Sequence, residues 1–426
     1  MPGIVDSPRV VSGSVQLLLG NAYFAVASYT TLVVIARKVG ISAFGQYVVV
    51  VSILLWLELV AAEAFKHPLL SEFARGRSAH VKRLLFTQGA VVLLISLLLI
   101  ASAPLLAGIL GDKTLAWLLC IAAIDILPYS LYVSFMTLLN AMDRYSAYLS
   151  GSLMYATGKV AFMGSAAFFF ESVELAILGM AFASALAALV AGFLCIKSGV
   201  RNYAPAVQEF PAPKLRQREV SKPYGVALLI TAGSGVLLVG DVWVVQASGF
   251  GATVVGEYGA VHNLVKLMQI GAGALMWALA PTLARYASFV HAFRAESQFR
   301  IVSYLILIGL CGSSVIFVCG AEQLISLFFG SQYRAGATIL RVMAPAYAAL
   351  VLAYVVLQLM YYIGLARHAA AYAICAAIVY PPTAWLLGNV YGPRGVVSTI
   401  GIVATLLLLS LLIHSWFATR RPYHTA

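Results

Sequence analysis

The sequence predicts an all-α polytopic membrane protein: twelve transmembrane helices in two pseudo-symmetric six-helix lobes around a central cavity. Three observations predict it. Of 426 residues, 62% are hydrophobic and 10% charged, with a mean hydropathy of +0.94; one soluble core of that length cannot hide so much apolar surface, so the bilayer is the solvent for much of it. The chain also repeats itself directly. GISAFGQYVVV (40–50) returns as GATVVGEYGAV (251–261), and LLAGILGDKTLAWLLCIAAIDILP (105–128) as LISLFFGSQYRAGATILRVMAP (324–345), with Gly111 facing Gly330 and Pro128 facing Pro345. NAMDRYSAY (140–148) then lines up with IGLARHAAAY (363–372). Duplicated bundles of this kind are the architecture of many transporters. The third observation is the distribution of Lys and Arg, given below.

The apolar segments, in order, are 15–36, 44–65, 84–110, 114–139, 147–170, 175–196, 224–248, 257–283, 301–319, 337–362, 369–390 and 396–417. Each approaches the ~20 residues that cross ~30 Å of hydrocarbon. The eighth holds His262 and Lys266, and the eleventh contains Pro381-Pro382. His67-Pro68 and Ala280-Pro281 read as stops to the second and eighth segments. Gly45 and Gly256 read as tight turns opening those two segments, with Tyr47 and Tyr258 at headgroup level. The first segment is followed by Arg37-Lys38 rather than a small-residue cleavage site, so the N-terminus is expected to stay on the chain. Residues 1–196 form the N-terminal lobe and 224–426 the C-terminal lobe. Between them, 197–223 carries four prolines and six basic residues and reads as a solvated cytoplasmic linker.

With the N-terminus inside, nineteen of the 27 Lys and Arg fall in inner loops and six in outer loops. That asymmetry places both termini in the cytoplasm of a multi-pass inner-membrane protein. It also accounts for the net charge of +12, which needs anionic lipid headgroups and no nucleic acid to explain it. The five cysteines all fall in apolar segments without CxxC or metal spacing, and read as small packing residues. Outer loops are short, which argues against an extracytoplasmic catalytic domain.

A charge at bilayer depth costs at least ~2.5 kcal/mol, so each one needs a reason. Glu58, Asp125, Lys159, Asp241 and Lys266 lie inside the second, fourth, fifth, seventh and eighth segments. Lys159 and Lys266, one per lobe, suit a clamp on a phosphorylated headgroup, because each ammonium is a compact charge with three donors. They suit equally a pairing of Lys159 with Asp125 and of Lys266 with Asp241 or Glu58. His262, Lys266 and Gln269 recur at i, i+4, i+7 and form one polar stripe, expected to face a cavity. His262 reads either as a hydrogen-bonded interfacial residue or as a proton-sensitive contact. Asp125, Asp241 and Glu58 read as ion-pair partners or as carriers of a coupling H+ or Na+. No other cofactor is expected. Asn21, Tyr23, Tyr29, Thr30 and Thr31 give the first helix a polar, aromatic character that suits sugar rings and hydroxyls.

IARKVGISAFGQYVVVVSILLWLELVAAEAFKHPLLSEFARG (35–76), LISLFFGSQYRAGATILRVMAP and YGPRGVVSTIGIVATLLL (391–408) resemble the polysaccharide transporter family, the O-antigen and exopolysaccharide flippases. That family belongs to the multidrug/oligosaccharidyl-lipid/polysaccharide exporter superfamily. The resemblance covers nearly the whole chain. It implies twelve helices in two lobes about a cationic cavity, and passage of undecaprenyl-diphosphate-linked sugar repeat units from the cytoplasmic to the periplasmic leaflet. It further implies a polysaccharide polymerase and a chain-length regulator as partners. Lys159 and Lys266 stand where a cavity cation could lie. The chain lacks the cluster of cavity arginines that lipid II flippases of the superfamily carry, and it has no Walker A sequence, so ATP hydrolysis is not expected. Two other readings are compatible with the residues: an ion-coupled drug or metabolite antiporter of the same superfold, using the acidic residues, and a membrane enzyme of polysaccharide assembly.

Overall fold

The hydrocarbon requirement that backbone groups bond within their own segment leads to long helices, and long helices are what the chain forms. The computed structural model describes residues 8–74, 78–199, 223–283 and 296–418. Most of the expected linker, 200–222, lies outside the described residues. Among the described residues there is no strand. Contacts divide the chain into two compact units, Met1–Tyr224 and Gly225–Ala426.

The first unit comprises α1 (Pro8–Lys38), α2 (Ile41–Ala74), α3 (Ser78–Ile109), α4 (Thr114–Ala141), α5 (Tyr145–Gly158), a π-helical segment (Lys159–Gly164), α6 (Ser165–Phe170) and α7 (Val173–Lys197). The second comprises α8 (Pro223–Ala247), α9 (Ala252–Leu283), α10 (Ser297–Cys319), α11 (Ala321–Phe328), a 3-10 turn (Ser331–Gly336), α12 (Ala337–Tyr362), α13 (Ala366–Tyr391) and α14 (Pro393–Ala418). Eleven stretches among the described residues are long and apolar enough to cross a membrane, so the protein is multi-pass. α9 is long enough at 32 residues but is not among the eleven; it carries Glu257, His262, Lys266 and Gln269.

Two details of the expected helix ends are corrected. α2 runs through Pro68 to Ala74, because neighbouring helices tolerate a proline within the membrane; α13 runs through Pro381 and Pro382, as expected of the eleventh segment. The glycines that turn the chain are not Gly45 and Gly256, which lie inside α2 and α9. They are Gly40 (φ +83) and Gly251 (φ +90), just before each helix, whose carbonyls accept from Phe44 N (2.9 Å) and Val255 N (3.2 Å). Glycine reaches this left-handed region without a Cβ clash. Tyr47 and Tyr258 point inward, 4% and 0% exposed, rather than to headgroups. The second repeat does pair as aligned: Gly111 (φ +73) ends α3 and Gly330 (φ +102) follows α11.

Each unit has the same hub. α4 packs on α2, α3 and α7, and in the other unit α12 packs on α9, α10 and α14. In α4 the inward residues are Leu115, Leu118, Leu119, Ala122, Ala123 and Ile126. A polar bolt locks α3 to α4: Gln88 Nε2 donates to Ser130 Oγ at 2.6 Å and Ser134 Oγ donates to Gln88 Oε1 at 2.8 Å. Small residues let α7 approach α5 and the π segment. A Cβ on Gly179 would sit 2.8 Å from the Phe162 carbonyl carbon and 2.9 Å from Met163 N. Leucine, isoleucine and phenylalanine side chains on the outer faces, such as Leu97, Leu98, Phe169, Leu189 and Ile308, are exposed, as a lipid-facing surface requires.

Loop ends are fastened by polar clusters. Asp112, before α4, accepts from Thr114 N (2.9 Å) and Gln46 Nε2 (2.9 Å). Partial burial acts to raise its carboxyl, but the hydrogen bonds from Thr114 and Gln46 outweigh it and hold the group below the usual carboxylate range. Glu322 on α11 is bridged by Arg334 and Arg341, each at 3.0 Å. Their hydrogen bonds hold it below its ordinary value. Of the cysteines, Cys195 is buried, with Sγ donating to the Phe135 carbonyl, while Cys311, Cys319 and Cys375 are exposed on outer helix surfaces rather than packed inside.

The close approach at Gly179 gives a paired prediction. Gly179→Ala is expected to destabilise by about 1–3 kcal/mol through overpacking. Gly89→Ala, whose Cβ would meet nothing within 4 Å, is expected to be neutral or stabilising by up to about 1 kcal/mol. Thermal unfolding of the two purified variants checks the contrast; equal melting temperatures would contradict the packing account.

Candidate functional site

The charged residues inside the helices gather into one cluster per unit. In the first unit, Glu58 on α2 and Asp125 on α4 are 1% and 0% exposed. Their carboxyl groups lie close enough to interact, but neither completes a hydrogen bond to the other. Two carboxylates so placed repel unless they share a proton. Among the described residues no N–H or O–H donor completes either carboxyl group within normal hydrogen-bond geometry. Buried Ser184 of α7 lies beside Asp125 and Tyr155.

Lys159 opens the π segment, half-buried near the middle of the continuous helical stretch 145–170. Single π turns inside α-helices often mark functional positions, because they shift the register of the side chains beyond them. The ammonium lies over two aromatic faces, 4.8 Å from the Tyr155 ring centre and 5.2 Å from that of Phe24. At this range the ring quadrupoles attract it. Phe24 stacks on Tyr155 at 5.6 Å and Tyr132 packs on it at 4.7 Å, so the cradle is built by α1, α4 and α5. Glu58 and Asp125 attract Lys159 electrostatically. Among the described residues, however, Lys159 forms no salt bridge, so the expected Lys159–Asp125 ion pair is replaced by a cation on an aromatic seat. Nearby, the exposed Tyr23 hydroxyl shares a 3.0 Å hydrogen bond with Thr157 Oγ1.

The second unit is arranged differently. Asp241 on α8 is 0% exposed. Its Oδ2 accepts from the Tyr258 hydroxyl at 2.8 Å and lies 2.8 Å from His262 Nδ1. With the carboxylate ionised, Nδ1 carries the proton and donates. His262 is also 0% exposed and meets Tyr347 edge-on, with ring centres 5.9 Å apart. The Tyr347 hydroxyl donates to the Leu238 carbonyl at 3.4 Å. Asp241 Oδ1, His262 Nε2 and the Tyr380 hydroxyl are buried with no hydrogen-bond partner.

The stripe of α9 therefore divides. His262 is wholly buried on Asp241, whereas Lys266 and Gln269 are half-buried. The expected pairing of Lys266 with Asp241 is corrected: the aspartate is held by Tyr258 and His262, and among the described residues Lys266 forms no salt bridge. Glu58 lies against Asp125 in the first unit. Some of this was readable in the chain. Tyr155 and Lys159 are spaced i, i+4, as are Tyr258 and His262, which puts each pair on one helix face. The Asp241–His262 contact joins different helices, and the π turn has no composition signal.

The residues from 10 to 287 match the model of the family described as polysaccharide biosynthesis protein. The chain belongs to that family. No curated protein matches the sequence. Several solved structures share the fold. The lipid II flippase MurJ in an inward closed conformation aligns with a TM-score of 0.68 and 14% identity, covering 95% of this chain and 87% of that one. An inward-facing multidrug resistance MATE family transporter of the MOP superfamily aligns with a TM-score of 0.68 and 11% identity, covering 95% and 98%. The Vibrio cholerae MATE transporter VcmN in its bent form aligns with a TM-score of 0.61 and 14% identity, covering 97% and 98%. Membership of the polysaccharide biosynthesis family and a fold shared with these transporters thus meet in one multi-pass chain.

The carboxyl contact yields a graded expectation. Glu58→Gln supplies an amide donor to Asp125 and should change stability by no more than about 1 kcal/mol. Glu58→Ala leaves a void and an unpaired buried carboxyl, and should cost about 2–4 kcal/mol. Denaturation midpoints in detergent distinguish the two; a Gln variant as damaged as the Ala variant would show that no proton is shared.

Proposed function

We propose that the protein is an inner-membrane flippase, moving undecaprenyl-diphosphate-linked oligosaccharide repeat units from the cytoplasmic to the periplasmic leaflet. The observation that carries this reading is the state of its two mid-helix lysines. Lys159 and Lys266 are half-buried in apolar helices, one in each unit, and among the described residues neither is neutralised by a salt bridge. A half-buried cation without a salt bridge is costly in an apolar helix and calls for a function. It is suited to offset the desolvation of a diphosphate, through charge-assisted hydrogen bonds from its three donors. Membership of the polysaccharide biosynthesis family and the fold shared with MurJ support the same class of cargo.

On this reading the polyprenyl tail stays in lipid while the headgroup passes through protein, and no covalent bond is made or broken. Alternating access moves the headgroup, as in other transporters built from repeated bundles. The buried acids Glu58, Asp125 and Asp241 carry the coupling to H+ or Na+. Tyr23 and its partner Thr157 offer an exposed ring and hydroxyls, suited to the first sugar of the glycan. Both termini lie in the cytoplasm, and the polymerase and chain-length regulator act on the delivered product.

Lys159→Ala and Lys266→Ala are each expected to lower surface polysaccharide at least tenfold in a strain lacking the native gene, at unchanged protein level in the membrane. The arginine variants should keep part of the activity, because charge is retained while geometry changes. Immunoblotting and polysaccharide gels read both quantities. Wild-type export by the double alanine variant would refute the assignment.

A further inference from the structure

The second unit buries more polar chemistry than its packing requires. Asp241 and His262 are joined at 2.8 Å, both wholly removed from solvent. Three polar atoms remain without partners: Asp241 Oδ1, His262 Nε2 and the Tyr380 hydroxyl. Buried polar groups are almost always satisfied, so three orphans around one dyad point to a binding role.

We propose that the Asp241–His262 dyad is a proton-binding site, and that the coupling ion of the second unit is H+ rather than Na+. The inference rests on the transport reading and goes further by naming the ion and its seat. In the unloaded state Nδ1–H donates to Asp241 and the free Nε2 is a bare acceptor. Loading adds one proton at Nε2, with no bond broken and no co-reactant needed. The imidazolium then faces a carboxylate that neutralises it, and the Tyr258 hydroxyl remains the carboxylate's second donor.

Sodium fits poorly here. It is a hard cation that prefers several oxygen ligands, whereas imidazole suits softer transition metals. Asp241 Oδ2 is already occupied by two hydrogen bonds, which leaves Oδ1 and one tyrosine hydroxyl among the orphan oxygens. Among the described residues no group of three or more His, Cys, Asp or Glu side chains is assembled.

The electrostatic surroundings come from every helix packed on the dyad. α8 supplies Asp241. α9 supplies Tyr258, His262 and Lys266, the last one turn beyond the imidazole. α12 supplies Tyr347 and α13 supplies Tyr380. Lys266 is the one fixed cation in this set, and it opposes a second positive charge on His262.

The test is a potentiometric titration of the purified full chain in nanodiscs between pH 8 and pH 5, with no substrate present. Its outcome is therefore independent of whether the export reading holds. Wild type is expected to take up one proton more than His262→Gln, and one more than Asp241→Asn. The double variant should lose the same single proton and not two, because the pair titrates as a unit. Replacing choline chloride by sodium chloride should leave the wild-type uptake unchanged. Thermal unfolding confirms that each variant is folded, and Asp241→Asn, which keeps the shape of the side chain, serves where His262→Gln does not fold. Uptake equal in wild type and variants overturns the proposal, as does a wild-type proton displaced by sodium.

Discussion

Hydrocarbon offers a polar group no partner, and the rest of this structure follows from that constraint. Backbone donors and acceptors bond within helices, so the described chain is helical almost throughout and proline is accommodated within α2, α3, α4, α12 and α13. Apolar residues need no shelter, so leucines and phenylalanines cover the outside. What must be sheltered is charge. Each unit buries carboxylates among its helices, Glu58 and Asp125 in the first and Asp241 in the second.

The two units meet this constraint by different chemistry. In the first, two buried acids lie against each other and the cation rests on aromatic faces instead of in a salt bridge. A cation held by ring quadrupoles keeps its charge available, because an aromatic face neither neutralises it nor occupies its donors. In the second, a single acid is engaged through one oxygen by tyrosine and histidine, and the neighbouring lysine forms no salt bridge among the described residues. Both arrangements deliver a half-buried ammonium near mid-helix. The duplicated backbone thus persists in its turn glycines and hub helices while the polar interior has diverged.

The π segment links fold to site. Gly179 allows α7 to touch the backbone of Phe162 and Met163, and Lys159 begins that same segment. A wider turn changes which residues share a face after it, so the side chains beyond Lys159 are turned by a segment that packs on a glycine of another helix. Helical periodicity assumes a constant 3.6 residues per turn, and cannot anticipate this.

The amino-acid sequence by itself determined the class of the protein, the positions of most helices, the direct repeat, and the few charges that need explanation. Those properties are local or compositional: hydropathy over about twenty residues, or the occurrence of a lysine in an apolar run. It misjudged the repeat's turn, placing it at Gly45 and Gly256 instead of Gly40 and Gly251, because either glycine suits a turn and only backbone dihedrals separate them. The tertiary structure alone decided the partners. That Asp241 would bind His262 rather than Lys266, and that Lys159 would lie on Tyr155 and Phe24 rather than pair with Asp125, depends on how helices rotate against one another. Such rotation is set by many weak packing contacts of small residues, and no single stretch of sequence encodes it.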